Sequence, residues 1–420
     1  MFGKLDVPTI REAKKRVRAR NRFFVVLSVI FVLFLFYVLF WIIIFPGPKR
    51  LDFTKTLLWS GATFVLYIGA KALGRLFLNK MISAWESLDD FDPEEKVGGF
   101  KVGKIKGYTK KIADDMGIDG EPVKVCTMDS PMPNAFGLLW RNVICLDRSW
   151  LRILDEQELK ALIAHELTHL KMKKTRPMFS HPTLFSFVIF LQISVLTSLF
   201  FFYEVSDYYF RFMTLFFIFH WVDMMFLLLP LKSSRAEEHL CDWSAVKYTD
   251  IFGAVNLMLK LGQRYEAINI INAAISEMKK KYRIPLSDYV QLPQMIDKNI
   301  KRSKIDPEGI RETVRETVED MAAENGWKKA TFSFSTGGGD SLFSGRNRHK
   351  VDWIQYDSHI MDFRLDEKEL PQFIEDIKSD RKSFLFDAKI DSYKDSHGTH
   401  PTIKQRVLFL WKNYKNRAVS

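Results

Sequence analysis

The sequence predicts a mainly α-helical, multi-pass membrane protein with a small β-sheet in its polar part. The mean hydropathy of the 420-residue chain is close to neutral, at -0.08. That average hides a division, because four long runs contain almost no charged residues while the remaining sequence is rich in them. Basic residues also crowd beside several of these runs, as they do at the cytoplasmic ends of membrane helices.

The first uncharged run is the clearest predicted span. Phe23 to Phe45 contains 23 residues without a charge, and at about 1.5 Å per residue this helix would cross a bilayer of about 30 Å. The run is too long for a secretory signal, and no small-residue cleavage site follows it. Thr56 to Ala70 is shorter and spans only if its flanking lysines reach the interfaces. We expect the third and fourth spans within Pro177–Tyr203 and Phe212–Leu231.

Basic residues determine the predicted orientation. Seven of them precede the first run: Arg11, Lys14, Lys15, Arg16, Arg18, Arg20 and Arg22. Such a cluster is a positive-inside signal and also suits anionic lipid headgroups. Similar clusters follow the second run and precede the third, so we predict four spans, both termini inside, and a location in the plasma or inner membrane. No nucleic-acid-binding motif accompanies the net charge of +12, so nucleic acid is not an expected partner.

The segment "IAHELTHLKMKKTR" contains the main chemical motif. Asp155 and Glu158 have the spacing of a capping box, which predicts that a helix begins there. Apolar residues then repeat every three or four positions, as on an amphipathic helix: Leu159, Leu162, Ile163, Leu167 and Leu170. The motif therefore lies on a helix.

On this helix His165 and His169 lie one turn apart, so both imidazoles can bind one metal ion. Glu166 lies about 100° further round and can reach a water in an open coordination position. The H-E-x-x-H spacing thus predicts two zinc ligands and a general base. The alternative is a chance match in a helix whose histidines are merely solvated. The three cysteines lack C-x-x-C spacing and suggest neither a disulfide framework nor a thiolate site.

A third ligand is available in "SSRAEEHLCDWSAV", after the fourth predicted span. Either Glu237 or Glu238 could supply a carboxylate, and Asp242, one turn beyond Glu238, could hold a ligand in place. Two predicted spans separate this segment from the H-E-x-x-H helix, so both are expected to emerge on the same side of the membrane.

These motifs resemble the membrane-integrated gluzincin metallopeptidases, a family that includes the heat-shock protease HtpX and the type I CAAX prenyl proteases. The family pattern S-R-x-x-E-x-x-A-D matches Ser234, Arg235, Glu238 and Asp242. The resemblance implies that Glu238 is the third zinc ligand and that Asp242 supports the ligands. Cys241 stands where alanine is usual. His239 stands where tyrosine is common and could compete as a ligand.

The segment "PNAFGLLWRNVICLD" resembles the strand that precedes the zinc helix in this family. In the family this edge strand pairs with an extended substrate backbone, which is β-augmentation. The resemblance implies that four residues bind substrate through main-chain hydrogen bonds: Asn134, Ala135, Phe136 and Gly137.

Near the C-terminus, "SHGTHPTIKQRV" resembles the family's H-P-x-x-x-x-R element. The resemblance implies that His400 donates a hydrogen bond to the scissile carbonyl or its oxyanion, and that Arg406 pairs with a carboxylate. His397 is a neighbouring competitor, but only His400 precedes the proline.

Together these features imply a zincin-like catalytic domain that carries a small β-sheet with a substrate-binding edge strand. The implied activity is that of an integral-membrane zinc metalloendopeptidase with one Zn²⁺ per chain, acting on membrane or misfolded proteins at the cytoplasmic face. The expected partners are polypeptide substrates and the lipid bilayer. Two alternatives are a CAAX-type prenyl protease and a catalytically silent membrane scaffold that contains zinc. The intact Glu166 argues against the scaffold, because a structural site has no use for a base.

The predicted organisation is a basic N-terminus (1–22), two spans (23–77), a catalytic part (78–176), two spans (177–231), a third-ligand helix (232–262), an insertion (263–395) and the H-P element (396–420). The insertion contains one candidate amphipathic helix, Pro307 to Glu324. Its apolar side is expected to consist of Ile310, Val314, Val318 and Met321. A cap over the cleft, an oligomerisation arm and a partner-binding module are all compatible with this sequence.

Overall fold

The structure is a computed structural model that describes residues 8–44, 65, 69, 73, 85–118, 122–128, 136–138, 142–174, 230–299, 307–329, 350–357, 364–379, 383, 385–386 and 401–418. The chain divides into two compact units. The first unit consists of residues 1–9, 87–170 and 241–420, and the second consists of residues 10–86 and 171–240.

A four-stranded sheet has the strand order β1-β4-β6-β5. The strands are β1 (Glu86–Ser87), β4 (Lys124–Met128), β5 (Phe136–Leu138) and β6 (Val143–Asp147), and a separate hairpin pairs β2 (Lys96–Val97) with β3 (Phe100–Lys101). β4 runs parallel to β6, whereas β5 is antiparallel to β6. All five residues of β6 are buried, and β5 lies at the edge of the sheet.

Helices make up most of the described residues. In chain order they are α1 (Ile10–Ile44), α2 (Val102–Met116), α3 (Arg148–Leu151), α4 (Glu156–Lys174), α5 (Pro230–Ala245), α6 (Ile251–Lys281), α7 (Leu286–Asn299), α8 (Pro307–Glu324), α9 (Glu369–Ser379) and α10 (Ile403–Ala418). The predictions of a mainly helical chain and of a small sheet are both confirmed.

The start of α4 has the predicted capping box. The backbone N–H of Glu158 donates to Asp155 Oδ1, and the backbone N–H of Asp155 donates to Glu158 Oε2, both at 2.8 Å. Each side chain thus satisfies a backbone donor that the first turn of a helix leaves unpaired. The same reciprocal pattern joins Asp366 to Glu369 at the start of α9 and Thr402 to Gln405 at the start of α10.

A buried ion pair ties α4 to α6. Lys260 Nζ donates to Glu158 Oε2 at 2.7 Å, and the side chain of Glu158 is fully buried. Burial raises the pKa of Glu158, and the positive charge of Lys260 opposes that rise. One turn earlier on α6, the amide of Asn256 bonds both backbone groups of Leu365, at 2.8 and 3.0 Å. The chain that leads into α9 is therefore fixed against α6.

The predicted helix in the insertion is confirmed, with the predicted bounds of Pro307 and Glu324. Ile310, Val314 and Val318 are almost fully buried, and Met321 packs beside them. They share one hydrophobic cluster with residues of α6 and α7. Because α8 packs against the second half of the long helix α6, one apolar stripe is enough to hold α8 in the core.

The multi-pass membrane architecture is the part of the fold prediction that is wrong. In the described part of the chain, no helix has the length and hydropathy needed to cross a membrane. The first apolar run belongs to α1, which begins at Ile10 and also contains the basic segment. Apart from Val65, Gly69, Pro230 and Leu231, the other three predicted spans lie outside the described residues: 56–70, 177–203 and 212–231.

Close packing of α6 gives a test of the fold. A Cβ atom added at Gly262 would overlap the ring of Phe386, which is itself 1% exposed. We expect Gly262→Ala to lower the free energy of unfolding by about 1–3 kcal/mol, because the core has no room for the methyl group. Urea unfolding followed by circular dichroism measures this change.

Gly107→Ala is the matched control. Gly107 is an exposed residue of α2, and an added Cβ there meets no atom within 4 Å. Alanine favours the helix, so the free energy of unfolding should rise by up to about 1 kcal/mol. Equal effects of the two substitutions would contradict the packing of Phe386 against α6.

Candidate metal centre

Helix α4 is largely buried where it carries the H-E-x-x-H motif, and only His169 of the motif is partly exposed. Every residue from 161 to 168 is buried. The predicted apolar stripe is in the core as expected, with Leu159, Ile163 and Leu167 fully buried. The expectation of an amphipathic helix is corrected, because His165 and Glu166, each 6% exposed, face the protein interior instead of water.

The two histidines of α4 present the same ring nitrogen to each other. The Nε2 atoms of His165 and His169 are 3.1 Å apart. Two nitrogens bound to one tetrahedral zinc ion at about 2.0–2.1 Å lie about 3.4 Å from each other. The observed spacing therefore suits two ligands of one ion.

Glu238 of α5 completes a set of three potential ligands. The ligand atoms of His165, His169 and Glu238 all lie within 4.8 Å of one another. Glu238 is 4% exposed, so its carboxylate is shielded from most of the solvent. Two imidazoles and one carboxylate form a donor set that zinc accepts in catalytic sites, where a fourth position stays open.

Asp242, one turn beyond Glu238, orients the first histidine. Its Oδ1 atom lies 3.0 Å from Nδ1 of His165. With the proton on Nδ1, that nitrogen donates to the carboxylate, and the lone pair of Nε2 is directed toward the other ligands. At this distance the carboxylate of Asp242 favours the tautomer of His165 whose Nε2 atom can bind a metal.

Arg406 of α10 holds Asp242 in turn. Its Nε donates to Asp242 Oδ2 at 2.8 Å and its Nη2 donates to Asp242 Oδ1 at 2.5 Å. Burial alone would raise the pKa of Asp242. The charge of Arg406, with hydrogen bonds from Arg406 and His165, outweighs burial and holds the pKa of Asp242 below its ordinary value. Asp242 is therefore a charged acceptor, which strengthens its bond to His165.

Comparison with known proteins identifies the family of this centre. The profile of Peptidase family M48 matches residues 101–412, which include the H-E-x-x-H helix, Glu238, Asp242 and Arg406. The chain belongs to peptidase family M48. The predicted membership of an HtpX-like metallopeptidase family is confirmed, and so is the predicted class of hydrolase at the level of the family.

Two curated relatives of this M48 chain are similar over a shorter stretch. They are a "Protease HtpX homolog" of Helicobacter acinonychis (strain Sheeba) and a protein of the same name from Helicobacter pylori (strain J99). Each is 29% identical over 120 residues, which cover 27% of this chain and 38% of the relative. The chain thus matches well under half the length of these relatives. No solved structure matches it.

The other residues predicted for the M48 site are only partly within the described residues. The backbone of Phe136 and Gly137 forms β5, where they pair with Cys145 and Ile144 of β6. Asn134, Ala135 and His400 lie outside the described residues, as does His397. The competing candidates, Glu237 and His239, are both buried beside Glu238 on α5.

Two contacts of this centre were not visible in the M48 motifs. The sequence predicted a carboxylate partner for Arg406, and the structure identifies it as Asp242, 164 residues away. Arg20, placed by the sequence in a membrane-flanking cluster, instead forms an ion pair with Glu237. No local spacing could signal either contact, because α1, α5 and α10 are distant in sequence.

Asp242→Asn tests the role of the buried carboxylate. The amide has one acceptor oxygen and carries no charge, so it cannot serve both His165 and the two donors of Arg406. We expect zinc affinity to fall by about 10–100-fold, measured by competition with a chromogenic chelator. Asp114→Asn, on the exposed surface of α2, should leave the affinity unchanged. Equal affinities of both variants would remove Asp242 from the centre.

Proposed function

We propose that this chain is a zinc metalloendopeptidase that hydrolyses peptide bonds, with His165, His169 and Glu238 as the zinc ligands. The convergence of these three side chains, with their ligand atoms within 4.8 Å of one another, is the main support for the proposal. Membership of peptidase family M48 supports the same reaction.

A zinc ion held by these residues would supply a Lewis acid, which would acidify a water molecule and polarise a peptide carbonyl. Glu166 follows His165 directly on α4 and is the general base. Its carboxylate accepts a proton from the attacking water and delivers that proton to the leaving amine. Burial of Glu166 keeps this transfer away from bulk solvent.

The remaining residues orient the ligands and the substrate. Asp242 retains the proton on Nδ1 of His165, and Arg406 keeps Asp242 charged and in place. We further propose that His400 donates a hydrogen bond to the developing oxyanion, as the resemblance implies. An intact general base favours this enzyme over a catalytically silent scaffold.

We propose that the substrate binds in an extended conformation along β5. The position of β5 at the sheet edge supports this assignment, because an edge strand has unpaired backbone donors and acceptors. Backbone pairing imposes little sequence preference, so Asn134 to Gly137 would accept varied polypeptides. Misfolded polypeptides, including those of membrane proteins, are the substrate class that we propose.

Glu166→Gln separates the base from the ligands. Glutamine has almost the same shape but cannot take a proton, so we expect casein cleavage to fall by at least about 10²–10⁴-fold. Zinc content, measured by atomic absorption, should remain that of the wild type because Glu166 is not a ligand.

Glu156→Gln is the matched control, since Glu156 lies on the exposed surface at the start of the same helix. It should retain both zinc and activity. Full activity of Glu166→Gln would exclude Glu166 as the general base.

A further inference from the structure

Exposed basic side chains gather at the C-terminal end of α6. Three lysines form the last turn of this helix, and the others come from the segments that follow α6 and α8. We refer to the whole set as the basic patch. Its members are all exposed: Lys279, Lys280, Lys281, Arg283, Lys328 and Lys329. Both segments of the patch belong to the predicted insertion, 263–395.

The turn after α8 directs the second segment back toward α6. Gly326 has a left-handed backbone with a φ of +64°, a conformation that glycine adopts without strain. The N–H of Trp327 then donates to the carbonyl of Ala322 at 2.9 Å, which closes the end of the helix. Trp327 also packs against the hydrophobic cluster shared by α6, α7 and α8. The chain after Trp327 therefore starts from a fixed point.

Backbone bonds join the two segments of the basic patch. The N–H of Arg283 donates to the carbonyl of Lys328 at 2.9 Å, and Tyr282 forms an antiparallel β-bridge with Lys329. Tyr282 itself is 8% exposed and belongs to the same hydrophobic cluster as α8. Folding thus brings together basic residues that are distant in sequence.

Helix stability explains only half of the basic patch. Lysines in the last turn of a helix interact favourably with the negative end of the helix dipole, but this effect falls off beyond that turn. It does not account for Arg283, Lys328 and Lys329, which follow the helices. Like charges on neighbouring segments repel one another. The gathering of these three residues beside the lysines therefore opposes folding instead of assisting it.

Most charges of the basic patch have no carboxylate partner within the described residues. Lys281 is the member that forms an ion pair there, with Glu319 at 2.7 Å. The Nζ atom of Lys279 lies 4.7 Å from the ring centroid of Tyr289, a contact that orients the ammonium group but does not neutralise it. The patch is therefore a surface of excess positive charge that suits an anionic partner.

A polypeptide fits this surface better than a lipid layer does. Peptidase family M48 implies polypeptide substrates, and the basic patch lies in the same compact unit as the H-E-x-x-H helix. Among the described residues, the large apolar side chains that are exposed lie outside the patch, and the nearest in sequence is Met295 of α7. The patch thus offers charge without the apolar side chains that enter a lipid layer.

We propose that the basic patch is an exosite that binds acidic segments of polypeptide substrates. Carboxylates of such a segment pair with the ammonium and guanidinium groups, away from the residues that carry out the reaction. Because these charges are exposed, dissolved salt weakens the binding. The inference rests on the proposed function and gives the predicted insertion a role in the choice of substrate.

Lys328→Gln/Lys329→Gln tests the exosite by binding alone. The background is the full chain with Glu166→Gln, so that the probe is not cleaved. The probe is a fluorescein-labelled oligoglutamate peptide, and fluorescence anisotropy gives its Kd. Loss of two exposed charge pairs should raise the Kd by about 3–10-fold. Added salt should weaken the binding of the unsubstituted patch more than that of the double variant.

Two further variants make the test specific. Lys110→Gln/Lys111→Gln makes the same change of charge on exposed residues of α2, in the same compact unit. It should leave the Kd unchanged. Lys328→Arg/Lys329→Arg retains both charges and should bind as tightly as the unsubstituted patch. A Kd that rises equally in the α2 variant and in Lys328→Gln/Lys329→Gln would overturn the proposal, because net charge alone would then explain the binding.

Cleavage assays separate this inference from the proposed function. An acidic tail on a peptide substrate should lower the KM of the wild type and leave the kcat unchanged. Lys328→Gln/Lys329→Gln should remove this difference in KM. If the chain binds oligoglutamate but cleaves no peptide, the proposed function is wrong and the binding surface stands. Binding to phosphatidylserine vesicles without any binding of oligoglutamate would overturn the exosite and identify a lipid surface instead.

Discussion

The contact between Asp242 and His165 is the interaction on which the metal centre depends. A histidine binds a metal through a nitrogen that carries no proton, and the carboxylate of Asp242, 3.0 Å from Nδ1 of His165, favours a proton on that opposite nitrogen. Asp242 can do so only as a buried anion, and that state depends on Arg406 of the C-terminal helix. Three helices distant in sequence must therefore pack correctly before the H-E-x-x-H motif can bind an ion.

The scaffold around α4 meets this requirement through buried polar contacts. The pair of Glu158 and Lys260 fixes the start of α4 against α6, and Asn256 binds the backbone that leads into α9. Buried polar groups are costly when unpaired, so these contacts favour one arrangement of the helices over others of similar hydrophobic burial. Part of the chain predicted to be an insertion is thus fixed against α6, the helix that also holds α4.

Buried contacts fix the side chains of the candidate metal centre. Asp242 contacts His165 and is itself held by Arg406, and Glu166 follows His165 on α4 outside the group of potential ligands. On the same helix as Glu238, Glu237 forms an ion pair with Arg20 of the basic helix α1, where both side chains have little contact with solvent.

Local spacing by itself determined the helix start at Asp155, the buried stripe of α4, the bounds of α8 and the shared face of His165 and His169. These features repeat over a few residues, so helical geometry alone decides them. Only the tertiary structure decided that Asp242 is the partner of Arg406 and that every residue of the motif helix from 161 to 168 is buried. Those outcomes depend on contacts between segments far apart in sequence. Composition also predicted the membrane spans, and that prediction is wrong for the described part of the chain, where no helix has the length and hydropathy to cross a membrane.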